Sequence, residues 1–128
     1  MDMIDTDILI LGGGLVGLTL AIALDAHGIR SAVIDPADPE TTLAATFDGR
    51  ASAVASAPWR MLQAIGVAPR LAGHGCEIAT IQVSDGLTRG LAFDPAPDDG
   101  AVGIMFENRR LRIALREAAL AAGNATLL

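Results

Sequence analysis

Three glycines near the N-terminus, spaced as G-x-G-x-x-G, are the residues whose types and spacing predict chemistry most clearly. They are Gly12, Gly14 and Gly17, and Asp35 follows at the end of the next apolar run. Gly12 lets the chain turn tightly, Gly14 leaves the backbone open to a phosphate, and Gly17 lets a helix pack closely on a sheet. Asp35 can accept hydrogen bonds from both hydroxyls of a ribose, and it would repel a 2′-phosphate. The pattern predicts a site for the adenosine end of a dinucleotide.

The elements around the glycines must form a strand, a turn, a helix and a second strand if they are to position such a site. An apolar run at residues 8–11 predicts the first strand, an Ala- and Leu-rich run at 15–27 the helix, and residues 32–34 the second strand. The first turn of the helix would offer the N–H groups of Leu15 and Val16 to the phosphates. The other interpretation, a glycine-rich turn in an ordinary α/β domain, accounts for fewer of these features.

Composition bounds the class of protein. The chain has 128 residues, of which 52% are hydrophobic, so it can form one modest domain with a core. Its net charge of −6 argues against nucleic acid as a partner. The single cysteine, Cys76, cannot form an internal disulfide, and the acidic N-terminus is unlike a signal peptide. The apolar stretch at 15–24 is too short to cross a bilayer. We therefore expect a cytoplasmic protein, and association with the surface of the inner membrane remains open.

Apolar patterning and breaker residues predict the rest of the organisation. The further elements expected are a loop at 36–42, a helix at 51–65 interrupted by Pro58, strands at 76–84, 87–93 and 101–106, a helix at 109–122 capped by Asn108, and a last strand from residue 125. The turn between the first two of these strands is Asp85-Gly86, which favours a hairpin. Because the last strand has no polar tail after it, we expect the chain to be part of a longer protein.

Three segments together resemble the FAD-dependent aromatic hydroxylases of the p-hydroxybenzoate hydroxylase type. They are the glycine segment at 7–35, the sequence D-G-R-A-S-A at 48–53 with a helix ending M-L-Q-A-I-G-V at 61–67, and the sequence F-E-N-R-R-L-R-I-A-L at 106–115. Within these enzymes the chain is most similar to the ubiquinone-biosynthesis hydroxylases, which act on polyprenylated phenols such as 2-polyprenylphenol or 2-octaprenyl-6-methoxyphenol.

The resemblance implies an α/β fold, in which a Rossmann-like FAD-binding βαβ domain carries an inserted β-hairpin that belongs to a substrate-binding sheet. Residues 1–75 would form the FAD-binding βαβ portion, residues 76–106 the β segment of the substrate-binding region, and residues 107–128 an incomplete return to the FAD-binding portion.

The same resemblance assigns residues to the cofactor. Arg50 would lie against the FAD near its pyrophosphate and ribose, a role that suits a guanidinium. Asn108 and Arg109 would lie beside the ribityl chain. The alternatives are that Arg50 is an exposed loop residue and that Asn108 only caps a helix. A group of three arginines is assigned to a solvated helix face: Arg110, Arg112 and Arg116.

The function implied is that of the N-terminal FAD-binding part of a monooxygenase. FAD would be reduced by NADH or NADPH and would use O2 to hydroxylate a small aromatic substrate. The sequence contains no set of residues with the spacing of a catalytic dyad or a metal site, so the catalytic residues stay unknown and no metal is expected.

Two other functions remain open, an NAD-dependent dehydrogenase domain and a non-catalytic nucleotide-binding fragment. Because the family's later D-G and G-D motifs are absent, we expect the 128-residue chain alone to be inactive. Self-association through uncovered strands also remains open.

Overall fold

The computed structural model describes residues 3–46, 48–96 and 100–128. The strands in these ranges are β1 (Ile8–Leu11), β2 (Ser31–Ile34), β3 (Ala51–Ala55), β4 (Cys76–Ile78), β5 (Ile81–Asp85), β6 (Thr88–Phe93), β7 (Gly103–Glu107) and β8 (Ala125–Leu127). The helices are α1 (Leu15–Ala26), α2 (Pro39–Thr42), α3 (Ser56–Ala64) and α4 (Asn108–Ala121), and a 3-10 turn spans Ala68–Leu71. None of the described helices combines the length and the apolar character needed to span a bilayer.

The first sheet is parallel and has the strand order β1-β2-β8. β1 and β2 run in register from Ile8 opposite Ser31 to Leu11 opposite Ile34. The connection between them is α1, which packs on β2 and on α4. Parallel neighbours require such a crossover, so the local pattern of strand, glycine turn, helix and strand dictates this unit. The βαβ unit predicted from the sequence is confirmed, and the predicted last strand is observed as β8.

The second sheet is antiparallel, with the order β3-β7-β4, and it corrects the sequence-based prediction for residues 51–65. The first five of these residues form β3, which pairs along its whole length with β7, and the helix begins only at Ser56. Pairing with a distant strand overrides the helical preference of an Ala-rich segment. Pro58 therefore lies in the first turn of α3, where a missing N–H costs no hydrogen bond within the helix. The prediction that Pro58 interrupts the helix is wrong.

The strand predicted at 76–84 is divided between two sheets. β4 pairs with β7, whereas β5 pairs with β6 in a separate hairpin. Gly86 occupies the hairpin turn with φ of +62°, as the Asp-Gly pair predicted. A single continuous strand at these positions is therefore wrong, although the hairpin itself is confirmed. The strand predicted at 101–106 is observed as β7.

The apolar core lies where α1 and α4 pack against each other and against the parallel sheet. Its fully buried members include Ala21 on α1, Val33 on β2, and Ala114 and Ala119 on α4. Small residues at these positions allow the two helices to approach closely. The core continues below the second sheet, where Phe106 is stacked on the ring of Trp59 at 5.5 Å between centroids. One core therefore fixes the end of β1, the start of α1 and the start of α4 relative to each other.

Candidate functional site

The turn between β1 and α1 requires glycine at two positions. Gly12 has φ of +109°, a conformation that side chains disfavour, and its N–H donates to the carbonyl of Ile34 at 2.8 Å. A Cβ at Gly17 would lie 1.9 Å from the carbonyl oxygen of Gly12, so only glycine fits there. The turn is therefore tied to β2, and α1 starts in direct contact with the turn.

Gly14 leaves open space in front of the first turn of α1. It is the N-cap residue, with φ of −80°, and a Cβ built on it would meet no atom within 4 Å. No side chain of the described residues caps this helix end. The first N–H groups of a helix have no partner within the helix, and the helix dipole places positive charge at the same point. This combination suits a phosphate group, and a side chain at Gly14 would fill the space that the phosphate needs.

Asp35 stands at the end of β2 and faces the glycine turn. Its Oδ1 accepts the N–H of Ala37 at 2.8 Å, and its Oδ2 accepts the N–H of Gly13 at 2.7 Å. These bonds, that from Ala37 first, hold the pKa of the carboxyl below its usual range. The carboxylate is therefore ionised at neutral pH, and it has lone pairs left for the hydroxyls of a ribose.

Asp48 is a buried carboxylate that joins two arginines. Its side chain is 6% exposed and lies between Arg50, whose side chain is 81% exposed, and Arg112, which is 13% exposed. Arg50 donates from Nε at 3.0 Å and Nη2 at 3.1 Å, and Arg112 donates from Nη1 at 3.0 Å. The Arg50 side chain is the first cause that holds the pKa of Asp48 far below its usual range. The cluster connects the segment before β3 to α4.

Asn108 links β3 to α4 through its side chain. Its Oδ1 accepts a hydrogen bond from the hydroxyl of Ser52, and its backbone N–H donates to the carbonyl of Arg50 at 2.9 Å. The prediction that Asn108 caps the helix is wrong, because the helix begins one residue earlier than expected and Glu107 occupies the N-cap position. The Asn108 amide is instead used to join two chain segments.

A cleft of about 440 Å³ opens between the glycine turn, the end of β2 and the start of α4. Five of the residues predicted to bind the cofactor line it: Gly14, Leu15, Asp35, Arg50 and Asn108. Three arginines and one aspartate contribute charge to the lining, and the Asp48 carboxylate lies directly behind two of these arginines. The cleft therefore suits an anionic ligand with an apolar part.

The other predicted residues do not line the cleft. Gly12 and Gly17 shape the turn behind it, and Val16 is 84% exposed on the first turn of α1. Arg109 points its Nε at the carbonyl of Leu43, to which it donates at 2.9 Å. Its contact is therefore with the segment after α2.

Sequence reasoning missed two arginines of the cleft. Arg112 and Arg116 line it, and Arg112 also donates to the carbonyl of Thr42 at 3.1 Å. Their assignment to a solvated helix face is wrong, because α4 turns the face that begins at Asn108 towards the cleft. The spacing of four residues between these three polar side chains could have indicated a shared face. The prediction of a loop at 36–42 is also incomplete, because the short helix α2 lies within it. The N-cap residue of α2, Asp38, accepts the N–H of Glu40.

Two curated proteins are similar to the chain in sequence. The ubiquinone hydroxylase UbiL of Rhodospirillum rubrum is 48% identical over 110 residues, which cover 85% of this chain and 26% of that protein. The 3-demethoxyubiquinol 3-hydroxylase of Escherichia coli is 34% identical over 125 residues, which cover 95% of this chain and 32% of that protein. The chain thus spans about a quarter to a third of the length of these relatives.

Solved structures share the fold. The p-nitrophenol 4-monooxygenase PnpA from Pseudomonas putida superposes with a TM-score of 0.74 at 18% identity. The match covers 100% of this chain and 32% of the PnpA chain. PqsL of Pseudomonas aeruginosa, in complex with 2-aminobenzoylacetate, gives a TM-score of 0.73 at 22% identity. This match covers 96% of this chain and 33% of the PqsL chain. The sequence pattern of the family described as "FAD binding domain" matches residues 5–127. An NAD-dependent dehydrogenase is therefore not favoured, and the chain belongs to the FAD binding domain family.

Proposed function

We propose that the cleft holds the adenosine diphosphate part of FAD. The observation that carries this proposal is the open space at Gly14 in front of the uncapped start of α1. The N–H groups of Leu15 and Val16 would donate to the pyrophosphate, and Gly12 and Gly17 would hold the turn in shape. Asp35 would accept the hydroxyls of the adenosine ribose.

The second half of the cofactor site is proposed at the start of α4. Arg50 lines the cleft, and a guanidinium has five N–H donors, so its two side-chain bonds to Asp48 leave donors for a phosphate. Asn108 lines the same cleft and would face the ribityl chain. Arg109 does not line the cleft and its Nε donates to the carbonyl of Leu43, so any contact that it makes with the cofactor would come from its terminal nitrogens.

We further propose that the whole protein is a flavin-dependent monooxygenase that hydroxylates a polyprenylated phenol in ubiquinone biosynthesis. Support comes from the names of the two curated relatives, both of which are hydroxylases of ubiquinone or its precursors. FAD, reduced by NADH or NADPH, would activate O2 for transfer to the phenol ring. The described residues of this chain bind and orient the cofactor, and the division at 1–75, 76–106 and 107–128 is part of the same proposal.

The β5–β6 hairpin has an exposed apolar face that the proposed cofactor site does not use. Ile81 pairs with Phe93 and Val83 with Leu91, so one face of the hairpin is apolar, and all four side chains are exposed. We propose that this face belongs to a substrate-binding sheet. Self-association or contact with the inner membrane, from the cytoplasmic side, would use the same apolar surface.

The proposed function is tested by isolating the protein and identifying what it binds. The protein should purify with a yellow chromophore that denaturation releases as FAD, and chromatography against authentic FAD identifies it. In a second assay, a prenylated phenol, O2 and NADH or NADPH are supplied to the whole protein, and mass spectrometry should detect a product heavier by one oxygen atom. A protein that binds only NAD(H), or that consumes reductant without ever forming such a product, would contradict the proposal.

A further inference from the structure

Asp48 is a negative charge in a place where negative charge should impede the binding of an anion. It lies behind two arginines of a cleft that otherwise suits phosphate groups, and its side chain is 6% exposed. A buried carboxylate is costly unless it is paired and hydrogen-bonded. Asp48 meets that condition, because Arg50, Arg112 and Asn108 all donate to it.

The geometry of the Arg50 pair fixes a side chain that would otherwise move freely. Nε and Nη2 of Arg50 meet Oδ1 and Oδ2 of Asp48 in a fork of two parallel bonds. The backbone N–H of Arg50 donates to the same carboxylate at 2.9 Å. An exposed arginine loses substantial rotamer entropy when a ligand orders it, so an arginine ordered in advance binds a phosphate at lower cost.

The same carboxylate also orders a second arginine of the cleft. Arg112 donates to Asp48 from Nη1 and to the carbonyl of Thr42 from Nε. These two bonds connect α4 to the segment after β2, which lines the cleft at Thr42 and Leu43. Asp48 thereby sets the positions of two guanidiniums that come from different parts of the chain.

We propose that Asp48 is a positioning residue for FAD, which holds Arg50 and Arg112 in the arrangement that receives the cofactor's phosphate groups. The inference rests on the proposed cofactor site. It predicts that loss of the Asp48 charge lowers the affinity for FAD, whereas a simple count of charges predicts that the affinity rises. Removing the negative charge would strengthen anion binding if only long-range electrostatics mattered. Removing the positioning contacts would weaken it.

The test compares the dissociation constants of FAD and of ADP for the wild-type protein and for Asp48→Asn, measured by calorimetry or flavin fluorescence. Asp48→Asn should raise the dissociation constants of both ligands by about tenfold, because the charge-assisted hydrogen bonds that order the two arginines are lost. In an Arg50→Ala background the same change should have a smaller effect, because the part of its action that passes through Arg50 is already lost. A purely structural role for Asp48 would give the same loss in both backgrounds, and would overturn the inference.

Arg50→Lys is a second test of the inference, and its outcome does not depend on whether Asp48→Asn folds. Because Arg50 is on the surface, its replacement should leave the fold intact. Lysine keeps the charge but cannot form the fork with Asp48, so its affinity for FAD should fall nearly to that of Arg50→Ala. Wild-type affinity in Arg50→Lys, or equal or tighter binding in folded Asp48→Asn, overturns the inference while the cofactor site stands. A wild-type protein that binds neither FAD nor ADP overturns both.

Discussion

The carboxylate of Asp35 accepts a hydrogen bond of 2.7 Å from the backbone N–H of Gly13, which is 22 residues earlier in the chain. This bond connects the end of β2 to the turn that opens α1. The acid proposed to bind the ribose and the turn proposed to bind the phosphates are therefore held together without a ligand. Such preorganisation lowers the ordering cost of binding.

The first prediction concerns the open space at Gly14. Gly14→Val should place a branched side chain where the pyrophosphate approaches, and the affinity for FAD should fall by more than about a hundredfold. Its φ of −80° suits any residue, so the thermal midpoint should stay close to that of the wild type. Fluorescence titration and a thermal melt measure the two quantities. Gly123→Val, also built into open space but outside the cleft, is the control; full FAD content in Gly14→Val would exclude the assignment.

The second prediction separates a structural glycine from a binding glycine. In Gly17→Ala the new Cβ would lie 1.9 Å from the carbonyl oxygen of Gly12, so α1 must move away from β1. We expect the free energy of unfolding to fall by about 3 kcal/mol or more, as for severe overpacking. Urea denaturation gives this value, and Gly123→Ala should change it little. An unaltered denaturation midpoint in Gly17→Ala would show that the close packing of helix and strand is wrong.

The third prediction concerns the arginine that lines the cleft. Arg50→Ala should weaken FAD binding by roughly ten- to a hundredfold, because a charge-assisted hydrogen bond to phosphate is lost. Arg60→Ala is the matched control, since Arg60 is an exposed arginine of α3 that does not line the cleft. Equal dissociation constants for the two variants would mean that Arg50 has no special role.

The fourth prediction follows from the lowered pKa values of Asp35 and Asp48. A carboxyl whose folded-state pKa lies below its unfolded value stabilises the fold above the unfolded pKa, and that contribution is lost as the pH falls towards the folded pKa. Stability should therefore be nearly constant from about pH 8 to 5 and should decline below about pH 4. Urea denaturation across this range should show a shallower acid decline in Asp48→Asn than in the wild type. Parallel declines in the two proteins would contradict the role of this carboxylate.

The sequence predicts the βαβ unit well because its determinants are local. The glycine spacing, the apolar strand before it and the acid after the next strand all lie within 35 residues and need no distant partner. By contrast, β3 is an Ala-rich segment that becomes a strand only because β7 pairs with it. The position of Arg112 in the cleft was missed for the same reason, since its partner Asp48 lies 64 residues away. Long-range pairing, whether of strands or of charges, leaves little trace in a local pattern.

A crystal structure of the protein with FAD bound would show directly whether the cleft is the cofactor site. The pyrophosphate should lie within about 3 Å of backbone N–H groups in the first turn of α1, which is hydrogen-bond distance. The hydroxyls of the adenosine ribose should contact Asp35, and a guanidinium nitrogen of Arg50 should reach a phosphate oxygen. Density for the adenosine diphosphate part outside the cleft, with Asp35 and the start of α1 making no contact to it, would contradict the assignment of the cleft to FAD.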